Sequence, residues 1–509
     1  MLLIEALKNP SAYPHPTSEI EIIETQVSWV VLTGEIAYKL KKPVDFGFLN
    51  FTTLELRKKF CEEEIRLNQR LSPDIYQQVV AIGGPADNPT VGSDSDIIEY
   101  AVQMKQFASG FRLDTLLQQH RFESSWIDAL AKTIADFHSS IPMVANDSPW
   151  GEPEAIWQLA SDNFTLIPQL VPDDPSLPEV ARLEAISATA FENLKDFMRQ
   201  RKSQGFVREC HGDLYLANIT LHEQELRVFD CIEFNLEFRW LDCINDLSFL
   251  LMDLEANGQF SWANRCLNQY LEHSGDYDGV RLLNFYKSFR SMVRAKVSML
   301  GGLDDYDAYQ HYLKLTARYN RPAEPALYLM HGVSGSGKSH LSEQLTAPLE
   351  AIRIRSDVER KRLFREAGNR GERIELYGAD MNLRTYHRLF DTSQRLLQSG
   401  HSVIVDATFI RQCTRQNYIE MAEKLGVPVY IISCHCEQRL LEARLKRRQE
   451  LAADPSDADV DVMLQQQLSQ HPLSDEERQI TLFIDTDDDE AAHRMVAQLS
   501  GEHQRNTEQ

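Results

Sequence analysis

The chain of 509 residues is too long for one hydrophobic core, so we expect two or three domains. Its formal net charge of −23 excludes a global basic field of the kind that attracts nucleic acid or an anionic membrane. No apolar run approaches the roughly 18 residues that a transmembrane helix needs, and the first residues lack the pattern of a signal peptide.

The first part of the chain begins with strand-like alternation of apolar and polar residues. Two alternating runs within 20–50 are separated by Leu32–Glu35, which predicts a hairpin. Helical apolar spacing follows over 52–71. The remaining predicted elements of this part are strands at about 75–83 and 96–107 and a mostly helical region at about 112–300.

A domain boundary is predicted near 319–325, where two prolines coincide with a loss of apolar periodicity. Beyond it, an apolar strand leads into a glycine loop and a helix, and three further apolar strands alternate with helices. This alternation predicts a doubly wound parallel sheet. We therefore assign one domain to 1–320, a second to 325–500 and a frayed polar tail to 501–509.

The segment from His211 to Asn218 has the His-x-Asp-x-x-x-x-Asn spacing of a protein-kinase-like catalytic loop, and Asp230 follows on the next predicted strand. Phosphoryl transfer needs a base near the acceptor hydroxyl, metal to gather the phosphate charge and a lysine to hold the triphosphate. Asp213 is predicted as the base, and Asn218 and Asp230 as Mg²⁺ ligands. His211 is expected to brace the loop.

A lysine on an upstream strand completes this pattern. Ile36–Lys39 has the form of the Val-Ala-Ile-Lys strand, so Lys39 is predicted to bind the phosphates of the nucleotide. Lys41 lies on the same face of the strand and is the alternative. The next helix offers the consecutive glutamates 62–64 as ion-pair partner, and Glu64 is favoured because the apolar face of the helix would anchor it.

The motifs HGDLYLANI and FDCIEF resemble the pattern of the aminoglycoside phosphotransferase family, the small-molecule branch of the protein-kinase-like fold. The resemblance covers roughly residues 20–300 and implies an α+β kinase-like domain. It also implies that Asp242 and Asp246 are structural anchors and that Gln106–Phe107 is the hinge that meets adenine.

One segment departs from this family. The loop that covers the nucleotide is glycine-rich in such proteins, and Glu24–Ser28 has no glycine. We expect the hydroxyl groups of Thr25 and Ser28 to replace the missing backbone contacts.

A complete Gly-x-x-x-x-Gly-Lys-Ser phosphate loop opens the second domain. Gly332, Gly335 and Gly337 would let the backbone wrap the phosphates, and the N-terminus of the following helix adds its dipole. Lys338 is predicted to reach the β- and γ-phosphates and Ser339 to bind Mg²⁺. The loop therefore predicts binding of ATP or GTP.

Two carboxylates follow strands of this domain. Asp357 is predicted to accept the proton of an acceptor hydroxyl, and the nearby Arg355 and Arg360 would suit an anionic substrate. The alternative role of Asp357 is to cap the next helix. Asp406 ends the buried strand VIVD and is predicted to make an outer-sphere contact with Mg²⁺.

The segment LEARLKRR at 441–448 places three arginines within about one helical turn. Arg444 and Arg448 are predicted to bind the triphosphate from a lid helix. The alternative interpretation is a helix face in contact with solvent.

The motifs of the second domain look like those of small P-loop kinases similar to polynucleotide kinases and zeta-toxin-type kinases, over roughly 325–490. The whole chain resembles bacterial two-domain proteins that join an aminoglycoside phosphotransferase-like domain to an ATP-binding P-loop kinase. This resemblance implies a bifunctional kinase that uses ATP and Mg²⁺ and phosphorylates hydroxyl groups of small molecules. The eight cysteines have no paired spacing, so we expect reduced thiols in a cytoplasmic protein without a membrane partner.

Two other hypotheses are kept. In one, a single domain catalyses and the other binds nucleotide as a regulatory or pseudokinase module. In the other, the arginines near Asp357 indicate a nucleic-acid 5′-hydroxyl kinase, which the acidic balance and the lack of aromatic-basic stripes disfavour. The acceptor and the oligomeric state are not predictable from the sequence.

Overall fold

The computed structural model describes residues 2–300, 305–451, 458–488, 490 and 494–497, and of residues 448–451 only the backbone. Its contacts divide the chain into two units. The first comprises Met1–Asn257 and Phe285–Asn320, and the second comprises Gly258–Asn284 and Arg321–Gln509.

The first unit is built on a six-stranded antiparallel sheet in the order β1-β2-β3-β6-β4-β5. Helix α2 packs against β4 and β6, on the side where Cys61, Ile75 and Val102 form a buried cluster. The elements up to this point are α1 (Leu2–Ala6), β1 (Glu21–Glu24), β2 (Ser28–Leu32), β3 (Ile36–Lys41), α2 (Leu54–Asn68), β4 (Tyr76–Gly83), β5 (Thr90–Val91) and β6 (Ile97–Lys105).

The remainder of the first unit is mostly helical and carries two short antiparallel ribbons, β7 with β10 and β8 with β9. The helices are α3 (Leu113–Gln118), α4 (Ser125–Ser140), α5 (Pro153–Leu170), α6 (Leu177–Ser203), α7 (Cys243–Ala256), α8 (Phe260–Ser274, grouped with the second unit), α9 (Leu283–Leu300) and α10 (Tyr306–Tyr319). The strands are β7 (Val207–Glu209), β8 (Ile219–His222), β9 (Glu225–Val228) and β10 (Trp240–Asp242).

The second unit contains a five-stranded parallel sheet in the order β12-β13-β11-β14-β15. All residues of the central strand β11 are buried, as expected for a strand with helices on both faces. The elements are β11 (Leu327–His331), α11 (Lys338–Thr346), β12 (Ile352–Arg355), α12 (Ser356–Asn369), α13 (Ala379–Gln398), β13 (Val403–Asp406), α14 (Gln412–Leu425), β14 (Val429–His435), α15 (Gln438–Leu451), α16 (Val460–Ser469), α17 (Asp475–Gln479) and β15 (Thr481–Asp485).

The predicted fold class is confirmed: an α+β kinase-like domain precedes an α/β P-loop domain with a parallel sheet. None of the described helices combines the length and apolar character that a bilayer span requires. All eight cysteines carry free thiols. The predicted tail at 501–509 lies outside the described residues.

The predicted domain limits need one correction, which concerns Gly258–Asn284. This segment was assigned to the first domain, but α8 packs on β12, the edge strand of the parallel sheet. Asn268 accepts a hydrogen bond from Arg353 N at 2.7 Å and donates to Ala351 O at 3.1 Å. The helix therefore satisfies backbone groups that an edge strand leaves unpaired.

Candidate active sites

The predicted base lies in the loop between β7 and β8. The amide nitrogen Nδ2 of Asn218 donates to Asp213 O and Asp213 Oδ2, both at 3.0 Å. Burial, with the charge of Asp230 adding to it, raises the pKa of Asp213 to about 6. A carboxylate with a pKa closer to neutral is a better proton acceptor than an ordinary aspartate.

Asp246 holds this loop through its backbone. Its carboxylate, fully buried at the start of α7, accepts hydrogen bonds from His211 N at 3.1 Å and Gly212 N at 2.8 Å. His138 Nε2 lies 3.1 Å from Asp246 Oδ2. The structure thus gives Asp246 the contacts of an anchor, because two backbone N–H groups of the loop end on one buried carboxylate.

Asp242 has a different set of contacts. It forms a buried pair with Arg201, at 2.6 and 2.9 Å, and it caps α7 by accepting from Ile244 N at 2.9 Å. Its contacts therefore fix the start of α7, from which Asp246 reaches the loop.

His211 also serves the shape of the loop. Its Nδ1 accepts from Asp213 N at 3.2 Å, so the proton is on Nε2, which donates to Phe229 O at 2.9 Å. Burial lowers the pKa of His211, which keeps the ring neutral. The histidine thereby connects the base-bearing loop to the residue that precedes Asp230.

Lys39 and Lys41 share one glutamate but reach different groups. Lys39 Nζ lies 2.8 Å from Glu64 Oε1 and 2.5 Å from Asp230 Oδ1. Lys41 Nζ lies 2.7 Å from Glu64 Oε2 and also pairs with Glu233. Lys41 is almost completely buried. Lys39 is therefore the lysine that contacts Asp230, the predicted metal ligand, and Lys41 contacts Glu64 from the interior.

The two glutamates before Glu64 point elsewhere. Glu63 pairs with Arg66 at 2.7 Å and Arg239 at 2.6 Å, and Glu62 lies 3.9 Å from Lys58. Glu64 is thus the one of the three that contacts Lys39. Asp230 has a φ of 64°, a rare backbone conformation for a residue other than glycine and one that is common at functional sites.

The expectation for Thr25 and Ser28 is wrong. Thr25 Oγ1 lies 2.9 Å from Ser28 Oγ and accepts from Ser28 N at 2.9 Å, while Thr25 N donates to Ser28 O at 2.9 Å. Both hydroxyls close the β1–β2 turn on itself. In this structure they therefore contact each other and do not replace the backbone contacts of a glycine-rich loop.

Part of the expected adenine hinge, Gln106–Phe107, is already hydrogen-bonded to other residues of the first unit. Gln106 N donates to Glu35 O at 2.8 Å, and Gln106 Oε1 accepts from Gly34 N at 2.9 Å. The ring of Phe107 lies edge-on to that of Phe229, with centroids 5.1 Å apart. Gln106 therefore ties the hinge to the β2–β3 turn, and its backbone N–H is not available to adenine.

The phosphate loop of the second unit has the shape that a bound phosphate requires. A Cβ atom on Gly332 would lie 2.6 Å from Cys434 O, so the backbone approaches too closely for a side chain. Ser336 Oγ is buried and has no hydrogen-bond partner among the described residues. Lys338 Nζ donates to Val333 O at 2.7 Å. The glycines with positive φ in the loop are Gly332, Gly335 and Gly337.

A cavity of about 530 Å³ extends from this loop, and the predicted catalytic and metal-binding side chains line it. Ser339, Asp357 and Asp406 are among its lining residues. Ser342 Oγ lies 3.3 Å from Asp406 Oδ2, and Arg355 Nε lies 3.7 Å from the same oxygen. Hydroxyl and carboxylate oxygens are the ligands that Mg²⁺ prefers, so these residues fit the predicted ion.

The alternative role of Asp357 as a helix cap is wrong. Helix α12 begins at Ser356, so Asp357 is inside its first turn, and the capping position is taken by Arg355. Asp357 is instead one of the residues that line the cavity.

Arg444 is the predicted lid arginine that lines the cavity. It donates to Thr486 Oγ1 at 3.0 Å and Thr486 O at 2.7 Å, which ties α15 to the loop after β15. The side chain of Arg448, predicted to act with it, lies outside the described residues.

Several residues of the two sites were missed by sequence reasoning. Glu233 stands three residues after Asp230, but a buried partner for a second lysine has no sequence signal. Ser342 lies one turn after the phosphate loop, and helical periodicity points to it. Thr486 was missed because β15, which it follows, was not predicted from the sequence.

Comparison with known proteins gives a family match and several mycobacterial relatives that align over most of the chain. Residues 327–473 match the model of a family described as an AAA domain. Over 419 residues the chain is 30% identical to uncharacterized protein Rv2004c of Mycobacterium tuberculosis, covering 79% of this chain and 82% of the relative.

Two solved structures show weaker likeness. A putative kinase from Chloroflexus aurantiacus is 20% identical, covers 35% of this chain and 98% of its own, and has a TM-score of 0.29. A choline/ethanolamine kinase family protein from Mesorhizobium loti is 12% identical, covers 63% of this chain and 94% of its own, and has a TM-score of 0.38. With TM-scores this low, the fold assignment rests on the strand order and motifs described above.

Proposed function

The chain belongs to the same family as the mycobacterial protein Rv2004c and has a two-domain kinase architecture, and we propose that it is a bifunctional ATP-dependent kinase. Each unit transfers the γ-phosphate of ATP to a hydroxyl group of a small molecule, with Mg²⁺ as the metal. The observation that supports this proposal is that each unit brings together a lysine, side chains with oxygen atoms suited to Mg²⁺ and an aspartate that could serve as base.

In the first unit, Asp213 accepts the proton of the acceptor hydroxyl as its oxygen attacks the γ-phosphorus. Lys39, which Glu64 holds at 2.8 Å, binds the phosphates. Asn218 and Asp230 are the side chains that would hold Mg²⁺, which offsets the phosphate charge when it is bound. In the absence of nucleotide, Lys39 and Asp230 neutralise each other.

In the second unit, the loop from Gly332 to Ser339 wraps the phosphates with its backbone N–H groups. Lys338 exchanges the carbonyl of Val333 for a phosphate oxygen. Ser339 and Asp406 would hold Mg²⁺, and Asp357 accepts the acceptor proton from the same cavity.

The first test is the stoichiometry of ATP–Mg²⁺ binding by calorimetry on the full chain. We expect two sites in the unaltered protein and one in Lys338→Ala, because that change removes a phosphate ligand from the second unit alone. The control is Lys424→Ala, an exposed lysine of α14 in the same unit, which should keep both sites. No binding in Lys338→Ala would contradict two independent nucleotide sites.

One observation favours the alternative in which the first unit regulates and the second catalyses. The turn at Thr25 and Ser28 is closed by its own side chains, and Gln106 N is engaged, so fewer backbone groups face the nucleotide than in an ordinary kinase. ATP turnover by full-length Lys338→Ala, abolished by the further change Asp213→Ala, would rule this alternative out.

A further inference from the structure

The mechanism above leaves two arginines of α9 unused, Arg290 and Arg294. They are four residues apart, so they project from the same face of the helix, one turn from each other. Both belong to the first unit, which also carries Asp213.

Two stacked rings place both guanidinium groups beside the catalytic loop. Tyr215, two residues after Asp213, stacks on Phe249 with ring centroids 5.4 Å apart and an angle of 17°. The guanidinium carbon of Arg294 lies 5.3 Å from the Tyr215 ring, and that of Arg290 lies 4.9 Å from the Phe249 ring. The rings form a platform that carries two positive charges next to the predicted base.

The hydrogen bonds of these arginines are incomplete. Arg290 is only 7% exposed, and its Nε donates to Asn245 Oδ1 at 2.8 Å, but its Nη2 is buried without a partner. Arg294 Nε is likewise buried without a partner. Within the part of the chain that the structure describes, neither arginine forms a salt bridge with a carboxylate. Buried cations normally have one, because an unpaired buried charge is costly.

The acidic side chains near this pair are engaged elsewhere. Asp253 accepts from Leu216 N at 2.9 Å, and Asp246 accepts from the backbone of the catalytic loop. The charges of Arg290 and Arg294 do act on Asp213, since they lower its pKa against the larger rise caused by burial and Asp230. Among the described residues, both guanidinium groups therefore lack a carboxylate partner of their own and lie close enough to Asp213 to act on its charge.

We propose that Arg290 and Arg294 form an anion-binding subsite for the acceptor of the first unit, and that this acceptor is a small hydroxyl compound carrying a carboxylate or phosphate group. The inference rests on the proposed function, because it assumes that Asp213 serves an acceptor. An aminoglycoside, which is a polycation, is the wrong class of substrate for a site with two arginines that have no carboxylate partner among the described residues. Guanidinium groups match the planar oxygens of carboxylate and phosphate through paired N–H donors.

The transfer step is balanced with the groups already named. The acceptor oxygen forms a bond to the γ-phosphorus, the bond from that phosphorus to the β,γ-bridging oxygen breaks, the acceptor proton passes to Asp213, and ADP leaves. Arg290 and Arg294 hold the second, anionic group of the acceptor and take no part in the bond changes.

The test uses four hydroxyl compounds of similar size on full-length Lys338→Ala, in which only the first site is active: glucose, glucosamine, gluconate and glucose 6-phosphate. Binding is measured by calorimetry with ADP and Mg²⁺, and phosphate transfer is measured with ATP. We expect gluconate or glucose 6-phosphate to bind at least tenfold more tightly than glucose and glucosamine. Comparing these two anions distinguishes a carboxylate subsite from a phosphate subsite.

The variants then assign the binding to the arginines. Arg294 is less buried than Arg290, so its replacement disturbs the fold less. Arg294→Gln should weaken binding of the preferred anion at least tenfold and leave the KM for ATP within twofold. Arg290→Lys, which keeps the charge, should retain more affinity for the anion than Arg290→Gln. The control is Arg182→Gln on the exposed face of α6, which should change nothing.

Preference for glucose or glucosamine, or equal anion affinity in the unaltered protein and Arg294→Gln, would overturn the subsite. Failure of Lys338→Ala to bind ATP at all would instead count against the proposed kinase function of the first unit. The two failures are therefore distinguishable in one set of experiments.

Discussion

Lys39 and Lys41 show how two residues of one type, on one face of one strand, acquire different roles. Both contact Glu64, but Lys39 reaches Asp230 at the site, whereas Lys41 lies in the interior with Glu64 and Glu233. Burial decides the difference, because a fully buried lysine must keep its carboxylate partners.

This difference predicts that substitution by methionine has different effects at the two positions. Lys41→Met leaves Glu64 and Glu233 buried without their shared cation, so we expect a loss of roughly 3–5 kcal/mol in the free energy of unfolding. Lys39→Met should cost less stability but abolish ATP binding at the first site. Urea unfolding and calorimetry measure the two effects, and equal destabilisation by both changes would contradict this assignment.

The raised pKa of Asp213 has a consequence for stability. Its pKa of about 6 in the folded state is above the ordinary value of 3.8. The carboxyl group therefore stabilises the fold below about pH 4, and this contribution is lost as the pH rises through about 6. At neutral pH the ionised carboxylate of Asp213 therefore lowers the free energy of unfolding.

We accordingly expect Asp213→Asn to be more stable than the unaltered protein at pH 8, by about 1–2 kcal/mol because the side chain keeps some contact with water. The advantage should be smaller at pH 5. Urea unfolding without nucleotide or Mg²⁺ measures it, and an equal advantage at both pH values would show that the pKa is not raised.

At the scale of elements, α8 and β12 show how a helix distant in sequence completes the parallel sheet. Asn268 bonds both to Arg353 N and to Ala351 O, and Glu272 lies 2.7 Å from Arg353 and 3.4 Å from Arg355. Since Arg355 lines the phosphate cavity, the same helix also positions a side chain of the second site.

Removing the amide of Asn268 tests this role. Asn268→Ala leaves the N–H of Arg353 without its side-chain partner, whereas Ala351 O keeps a hydrogen bond from Asn264 at 3.3 Å, so we expect a loss of roughly 1–3 kcal/mol in the free energy of unfolding. The control, Gln269→Ala, changes the neighbouring residue of α8, which makes none of these bonds to β12. Thermal unfolding of both variants measures the effect, and an unchanged melting temperature for Asn268→Ala would contradict a structural role for this contact.

At the scale of the whole molecule, the two units are interleaved in sequence. The chain leaves the first unit after Asn257, returns at Phe285 and leaves again after Asn320. A cut near residue 320 therefore separates α8 from β12, which it covers. Tests of the two proposed sites are for this reason best made on the full chain with one site disabled by a point variant.

Motifs with tight local geometry were predictable from the sequence alone. The phosphate loop, the catalytic loop and the Val-Ala-Ile-Lys-like strand depend on residues close in sequence, and glycine positions and strand periodicity identify them without tertiary information. The α/β character of the second domain followed in the same way from alternating strands and helices.

Tertiary structure alone decided which groups meet across long separations. The contacts of Lys41 with Glu233, of α8 with β12 and of Arg294 with the Tyr215 ring join residues that no local pattern connects. It also showed that Thr25 and Ser28 bond to each other, because a polar side chain takes whichever partner the folded backbone brings within reach. The sequence thus determined the two candidate phosphate-binding motifs, because their residues are close together in the chain. The folded chain determined which side chains surround each motif, because those residues come from distant parts of the sequence.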